Sequence, residues 1–327
     1  MHAIVITKPG SPEVLKLQKV PDPEPSDYEI LVAVHATALN RADLLQRRGH
    51  YPPPPGVRAD IPGLEFAGEV IAVAENVTAL KIGDPVMGLL GGAGYAEKIV
   101  THERMAMRIP KNLSYEEAAA IPEVFMTAYD ALFAQLHLQI GERLLIHAVG
   151  SGVGVAALQL AKTAAATVFG TAGSDEKLAK AKALGLDVGI NYRTQNFEEI
   201  VLAETGGAGV HAIFDMVGAS YWGKNLAGLA PKGRLILVGL LGGSKVEANL
   251  GDILKKRIQI IGTTLRGRPI EEKIALTQAL QQHVLPLFES GKIKSIIDRV
   301  FSLQEAAAAH GYMEANKNFG KIILKVI

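Results

Sequence analysis

From residue 142 to about 265 the chain alternates short apolar runs with helical stretches, and few architectures tolerate that alternation. The runs fall at 143–148, 167–171, 188–191, 212–216, 234–239 and 259–264. Helical stretches, for example 153–163 and 176–184, lie between several of them. Strand, helix, strand at this spacing predicts an α/β region built on a parallel, doubly wound sheet.

The flanking sequence reads differently. Apolar runs at 3–6, 30–38, 66–74, 85–90 and 96–100 are separated by Pro, Gly and Asp, which predicts a mainly β region. Residues 52–55 are four consecutive prolines, a stiff extended segment unfit for a central strand and suited to fixing Tyr51. Ser114-Tyr115-Glu116-Glu117 is a capping box opening a helix. After Pro269 a long helical stretch leads to strands at 300–302 and 321–326. With 327 residues, about two domains of ~150 residues are expected.

Composition excludes several classes. Formal net charge is +1, which gives no electrostatic reason to expect nucleic acid or an anionic membrane as partner. Arg47-Arg48 and Lys255-Lys256-Arg257 read as short solvated faces. There are no cysteines, so disulfides, Cys-ligated zinc and iron–sulfur clusters are excluded. No secretory leader is expected from the N-terminal residues, and the apolar stretch at 144–173 carries Lys162 and many glycines, so no membrane span is expected there. A cytoplasmic protein is the expectation.

The run Gly150-Ser151-Gly152-Val153-Gly154 sits between the first strand of the alternating region and its helix. Glycines there allow a tight turn and close approach to a pyrophosphate, which the helix N-terminus stabilises. The spacing is not the strict dinucleotide fingerprint; the surrounding alternation supports a Rossmann nucleotide domain. The second strand ends in Gly173-Ser174, with Lys177 one turn later. Ser174 can donate a hydrogen bond and Lys177 a positive charge to a 2′-phosphate, so NADPH is expected rather than NADH. Asp175 dissents, and reads as a first-turn acid matched to the helix dipole.

With these residues in view, the chain resembles the zinc-free quinone oxidoreductase branch of the medium-chain dehydrogenase/reductase superfamily, nearest its p53-inducible type. The likeness covers essentially the whole chain. It rests on Ala38-Leu39-Asn40-Arg41-Ala42-Asp43, Gly63-Leu64-Glu65-Phe66-Ala67-Gly68, Ala118-Ala119-Ala120-Ile121-Pro122-Glu123, the glycine run, and Tyr312-Met313-Glu314-Ala315-Asn316-Lys317-Asn318. Zinc-binding relatives carry G-H-E where this chain has Gly63-Leu64-Glu65, and a Cys in the region of Asn40. Leucine cannot bind zinc and asparagine is a poor substitute for a thiolate, so no metal is expected.

The resemblance implies a GroES-like, mainly β catalytic domain at 1–125, completed by 265–327, with the Rossmann domain inserted at 126–264. It implies a cleft between them that takes substrate and nicotinamide. Tyr51 and Ser151 are the expected catalytic residues. Asn40, Thr127, Gly150, Ser151, Gly152, Val153, Gly154, Gly173, Ser174, Lys177, Tyr192, Gly239, Leu265 and Asn318 are the expected cofactor contacts. Plainer roles compete with these: Tyr51 anchoring its loop, Asn40 capping a helix, Ser151 merely fitting its turn. His147 reads as core, and Asp215 as a strand-end residue with no assigned role.

The expected reaction is reduction of a quinone by NADPH. An enone or alkenal reductase is the alternative, and a cofactor-binding protein without turnover, as some relatives serve in eye lens, a third. A homodimer or higher oligomer is implied, with strand 234–239 or its neighbour pairing across a two-fold axis.

Overall fold

The computed structural model describes residues 1–327. The chain packs as two compact units, Met1–Met126 with Leu265–Ile327, and Thr127–Thr264. The first unit opens with β1 (His2–Ile6) and β2 (Leu15–Lys19), paired antiparallel. Then come β3 (Glu29–Ala38), β4 (Glu65–Val73), β5 (Pro85–Leu89), β6 (Lys98–His102) and β7 (Ala106–Arg108). The second unit contributes β8 (Arg143–Ile146), β9 (Thr167–Ala172), β10 (Val188–Asn191), β11 (Val210–Asp215), β12 (Leu229–Leu237) and β13 (Gln259–Gly262). The chain returns to the first unit for β14 (Ile297–Ser302) and β15 (Lys321–Lys325).

In the first unit the sheet runs β14-β15-β3-β4-β5-β7, with β6 also paired to β3. Along β3 the fully buried Ile30, Val32, Val34 and Ala36 alternate with more exposed neighbours, the period-two pattern of a strand with one face in the core. Ile30, Val32 and Val34 pack with Phe66, Val70, Val86 and Ile99. The capping box forms as read: the Ser114 N–H donates to Glu117 at 2.9 Å, and the Glu117 N–H donates to Ser114 Oγ at 3.2 Å.

The second unit holds a six-stranded sheet in the order β10-β9-β8-β11-β12-β13, every pair parallel. From β8 the chain first moves to one side, through β9 and β10, then crosses to the other with β11. That reversal beside β8 is the switch point, where doubly wound sheets bind ligands at the carboxyl ends of their strands. Leu145, Phe169, Ile190, Ile213 and Leu235 build the sheet's core, packed by Phe197, Val201 and Leu226 from covering helices. Truncating a side chain such as Phe169 to alanine would cost about 3–5 kcal/mol.

The structure differs from three sequence expectations. Strand 234–239 cannot pair across a two-fold axis, because β12 already has β11 on one side and β13 on the other; its neighbour β13 is the edge strand. Arg47 is no solvated face: it is fully buried, donating to the Gly10 carbonyl at 3.0 Å and to His310 Nδ1 at 3.1 Å, and ion-paired with Glu314. Lys256 likewise donates to the carbonyls of Leu226, Ala227 and Leu229 at 2.7–2.8 Å, capping a helix end with its charge.

Candidate active site

β8 leads into the glycine run, and the helix Gly152–Thr163 begins directly after Ser151. Ser151 Oγ accepts from the Gly154 N–H at 3.1 Å and donates toward Met216 Sδ at 3.4 Å, so its expected catalytic hydroxyl already serves as the N-cap. A Cβ on Gly154 would lie 2.5 Å from the Ala148 carbonyl oxygen. Only glycine therefore lets the helix start this close to the strand. Gly150 is buried, and Gly152 and Val153 are half-buried. Unpaired N–H groups and the helix dipole suit this end to an anion. Gly239 joins the same corner, where a Cβ would meet the Met216 carbonyl oxygen at 3.2 Å.

At the end of β9 the second group of expected contacts comes together. Ser174 caps the helix Asp175–Lys182, its Oγ accepting from the Lys177 N–H at 3.4 Å. Tyr192 is 45% exposed, and its hydroxyl lies 2.6 Å from where a Cβ on Gly173 would stand. The Nε of Arg193 lies 3.3 Å from that same point. Gly173, Tyr192 and Arg193 thus share one shelf, with Ser174 and Lys177 following on the helix. The acid that dissented, Asp175, is engaged by the Asn191 amide at 2.9 Å. Arg193 was not singled out from the sequence, because a lone arginine after a strand looks like any solvated charge.

In the first unit, Tyr51 lies with its ring over the guanidinium of Arg266, 5.0 Å from ring centroid to Cζ. Arg266 is 5% exposed and donates to the Tyr51 carbonyl at 3.0 Å, the Gly91 carbonyl at 2.7 Å and Gln46 Oε1 at 2.6 Å. Gln46 in turn donates to the Ala59 carbonyl at 2.9 Å. One arginine therefore staples both ends of the proline loop to its surroundings. Burial raises the Tyr51 phenol above its usual pKa, Arg266 opposes the rise, and Glu123 adds to it. The phenol is a hydrogen-bond donor at neutral pH. Leu265, the expected contact, immediately precedes Arg266, which no local motif marks.

Asn40 belongs to a different cluster. Its amide nitrogen donates to Glu65 Oε1 at 2.8 Å, while its oxygen accepts from the Lys321 ammonium at 2.7 Å. Lys321 also donates to Glu65 Oε1 at 2.7 Å and to the Leu39 carbonyl at 2.8 Å. Asn40, Glu65 and Lys321 are all buried, as is Leu64. The remaining Glu65 oxygen accepts the Glu123 N–H at 2.8 Å. Around Asn40 and Glu65 the positive charge is thus an ammonium of the chain itself. These donors do not fit a zinc ion: Leu64 offers none, and Lys321 already occupies the oxygens of Asn40 and Glu65.

The remaining expected contacts are more scattered. Thr127 lies half-buried in the helix Pro122–Tyr129, and Leu265 half-buried beside Arg266. Asn318 is buried, its amide donating to the Gly320 carbonyl at 2.8 Å.

Comparison with known proteins agrees with this architecture. Residues 26–111 match the alcohol dehydrogenase GroES-like domain family, and residues 152–282 the zinc-binding dehydrogenase family. The human quinone oxidoreductase is 33% identical over 99% of this chain and 97% of its own length. The Pseudomonas aeruginosa quinone oxidoreductase is 34% identical over 96% of each. Among solved structures, an NAD-dependent alcohol dehydrogenase superposes with TM-score 0.89 at 33% identity, covering 100% of both chains. A mycobacterial protein complexed with NADPH gives 0.89 at 29% identity over 100% of both. The CurK enoyl reductase gives 0.87 at 29% identity, over 99% of this chain and 98% of its own. Likeness of this extent, spanning both units, makes the chain a member of the medium-chain dehydrogenase/reductase superfamily, an oxidoreductase akin to the quinone oxidoreductases.

Proposed function

We propose that the protein is a zinc-independent NADPH:quinone oxidoreductase. The observation that carries the reading is the shelf at the end of β9, where Gly173 leaves room for the Tyr192 hydroxyl and Arg193 beside Ser174 and Lys177. Hydroxyls and two cations there would hold a 2′-phosphate by charge-assisted hydrogen bonds. The glycine run and the helix Gly152–Thr163 would hold the pyrophosphate, with Gly239 and Met216 at the inner end of the sheet. When bound, the reduced nicotinamide supplies the reducing equivalents.

The chain's own groups have simpler tasks. Tyr51, held by Arg266, donates its hydroxyl to a quinone oxygen as negative charge develops there. The reduced quinone oxygens take protons from solvent, so no dedicated acid is required. The Lys321 ammonium between Asn40 and Glu65 supports a metal-free site, since a divalent cation there would face a buried positive charge. Asn40, Thr127, Leu265 and Asn318 are proposed to line the cofactor, and Ser151 to act mainly as the cap that shapes the loop.

A second reading, reduction of an activated carbon–carbon double bond, is favoured by the likeness to the CurK enoyl reductase. It requires a proton donor to carbon, and Tyr51 is the candidate. We also propose a homodimer: β13 is an unpaired edge, and Leu250 and Leu254, 72% and 81% exposed, lie on the helix just before it.

The test is oxidation of NADPH, with NADH in parallel, against 1,2-naphthoquinone, 1,4-benzoquinone and an alkenal. Quinone-dependent loss of NADPH, with NADH poor, is the expected result. Turnover of the alkenal alone would replace the reading by the second one, and preference for NADH would remove the 2′-phosphate assignment.

A further inference from the structure

Four buried polar side chains of the second unit form one chain of hydrogen bonds that the reaction itself does not use. Thr171, His147, Asn225 and Asp215 are each at most 1% exposed. The direction of every bond follows from what each group can do. The Asp215 carboxylate can only accept, so the Asn225 amide nitrogen donates to it, at 2.9 Å. That leaves the Asn225 oxygen facing His147 Nε2, which must carry the proton and donate across 2.7 Å. His147 Nδ1 then accepts from the Thr171 hydroxyl at 3.1 Å. Thr171 Oγ1 in turn accepts the Ala148 N–H at 3.2 Å.

Both ends of this chain terminate on loops at the switch point. Ala148, two residues before the glycine run, has φ +49°, a left-handed conformation unfavourable for a residue with a Cβ. Its carbonyl is the one against which Gly154 packs. At the far end Asp215 accepts the Val217 N–H at 2.6 Å and the Gly218 N–H at 3.2 Å, and Gly218 has φ +84°. Between those ends, Met216 meets Ser151. A single buried network therefore holds the turns after β8 and β11 together.

We infer that His147 is a positioning residue for the dinucleotide: as its Nε2–H tautomer it locks Thr171 onto the strained Ala148 N–H and Asn225 onto Asp215, presetting the phosphate-binding loop. This rests on the dinucleotide reading above. A ligand that binds a preset loop avoids the cost of ordering it, so loosening the network weakens binding without touching the reacting atoms.

The experiment measures the NADPH dissociation constant by fluorescence titration of the full chain, with kcat at saturating NADPH. The variants are His147→Phe, Thr171→Val, Thr171→Ser and the His147→Phe/Thr171→Val double. Phenylalanine keeps the ring packing that His147 makes with Phe197 and Tyr221, at 4.8 and 4.7 Å between centroids. We expect about tenfold weaker NADPH binding in His147→Phe and Thr171→Val. The double variant should be no weaker than either single, since the residues act as one unit. Thr171→Ser should stay near the parent, and kcat within about twofold throughout. If His147→Phe does not fold, the two Thr171 variants carry the test alone. Folded variants whose affinity stays at the parent value, even with lowered melting temperature, would overturn the inference, as would fully additive losses. A parent protein that binds neither NADPH nor NADH would instead overturn the dinucleotide reading, and this inference with it.

Discussion

Both units bury polar side chains, but they do it with different chemistry. The first unit buries full charges: Lys321 against Glu65 and Asn40, and Arg47 against the half-buried Glu314. It also carries a second directed chain, from Arg47 through His310 and Tyr95 to Asp43. Burial there lifts the Asp43 carboxyl to about 6, although the Asn40 and Gly63 N–H groups and Lys321 pull it down. The second unit buries the neutral relay of Thr171, His147 and Asn225, with one carboxylate at its end. Charges fix geometry at a high cost if one partner is lost, whereas neutral relays lose less but depend on tautomer and direction.

The largest effect should come from breaking the ionic cluster. Lys321→Met leaves Glu65 without its buried counter-charge, and about 3–5 kcal/mol of stability should be lost in urea or thermal unfolding. Adding Glu65→Gln should recover part of that loss, because no uncompensated charge then remains. A loss under about 1 kcal/mol in the single variant would mean that the charges are not the stabilising element.

The histidine relay should respond to acid instead. Burial depresses His147 to about 4 from the ordinary 6.5, with Asn225 opposing. Its folded pKa lies below its unfolded one, so the stability it contributes is full above pH 6.5 and lost as pH falls toward 4. Between pH 7 and pH 5 that is about 2 kcal/mol. His147→Phe should therefore shrink the difference in unfolding free energy between those two pH values by about this amount. The titratable groups around it are Asp215, reached through Asn225, and Tyr221, whose phenol burial pushes up to about 12; Tyr221 does not change charge in this window. An unchanged pH difference would mean that His147 does not stay neutral when folded.

A smaller effect separates the two ends of the dinucleotide. Lys177→Ala should weaken NADPH about tenfold and leave NADH unmoved, and Arg193→Ala should do so by about threefold. Equal weakening of both cofactors would place these cations elsewhere than at a 2′-phosphate.

Much of the architecture was legible because it is local. The run 188–191 coincides with β10, and the expected helix at 153–163 with Gly152–Thr163 to within a residue. The six runs alone order themselves into the parallel sheet. β12 was read five residues short at its start, because Pro231 and Gly233 signal a break. The sheet passes that point by an irregularity opposite Val210 and Ala212. β2 is hard to read because only Leu15 and Leu17 alternate with its polar residues, and of these only Leu15 is buried. The site divides the same way. The glycine run and the helix-capping serines are visible as motifs. Arg266, Lys321 and the His147 relay are not, because each acts through partners far along the chain. Lys321 contacts residues more than 250 positions away, and nothing in its neighbourhood distinguishes it from a solvated lysine.

The most direct test of the whole account is NADPH oxidation with 1,2-naphthoquinone, measured on the parent protein and on Tyr51→Phe together with NADPH affinity. Rapid oxidation by the parent is the expected result. In Tyr51→Phe, kcat/KM for the quinone should fall at least about tenfold, with NADPH affinity unmoved. Undiminished turnover in Tyr51→Phe would contradict the role given to the tyrosine, and no quinone turnover by the parent would contradict the function itself.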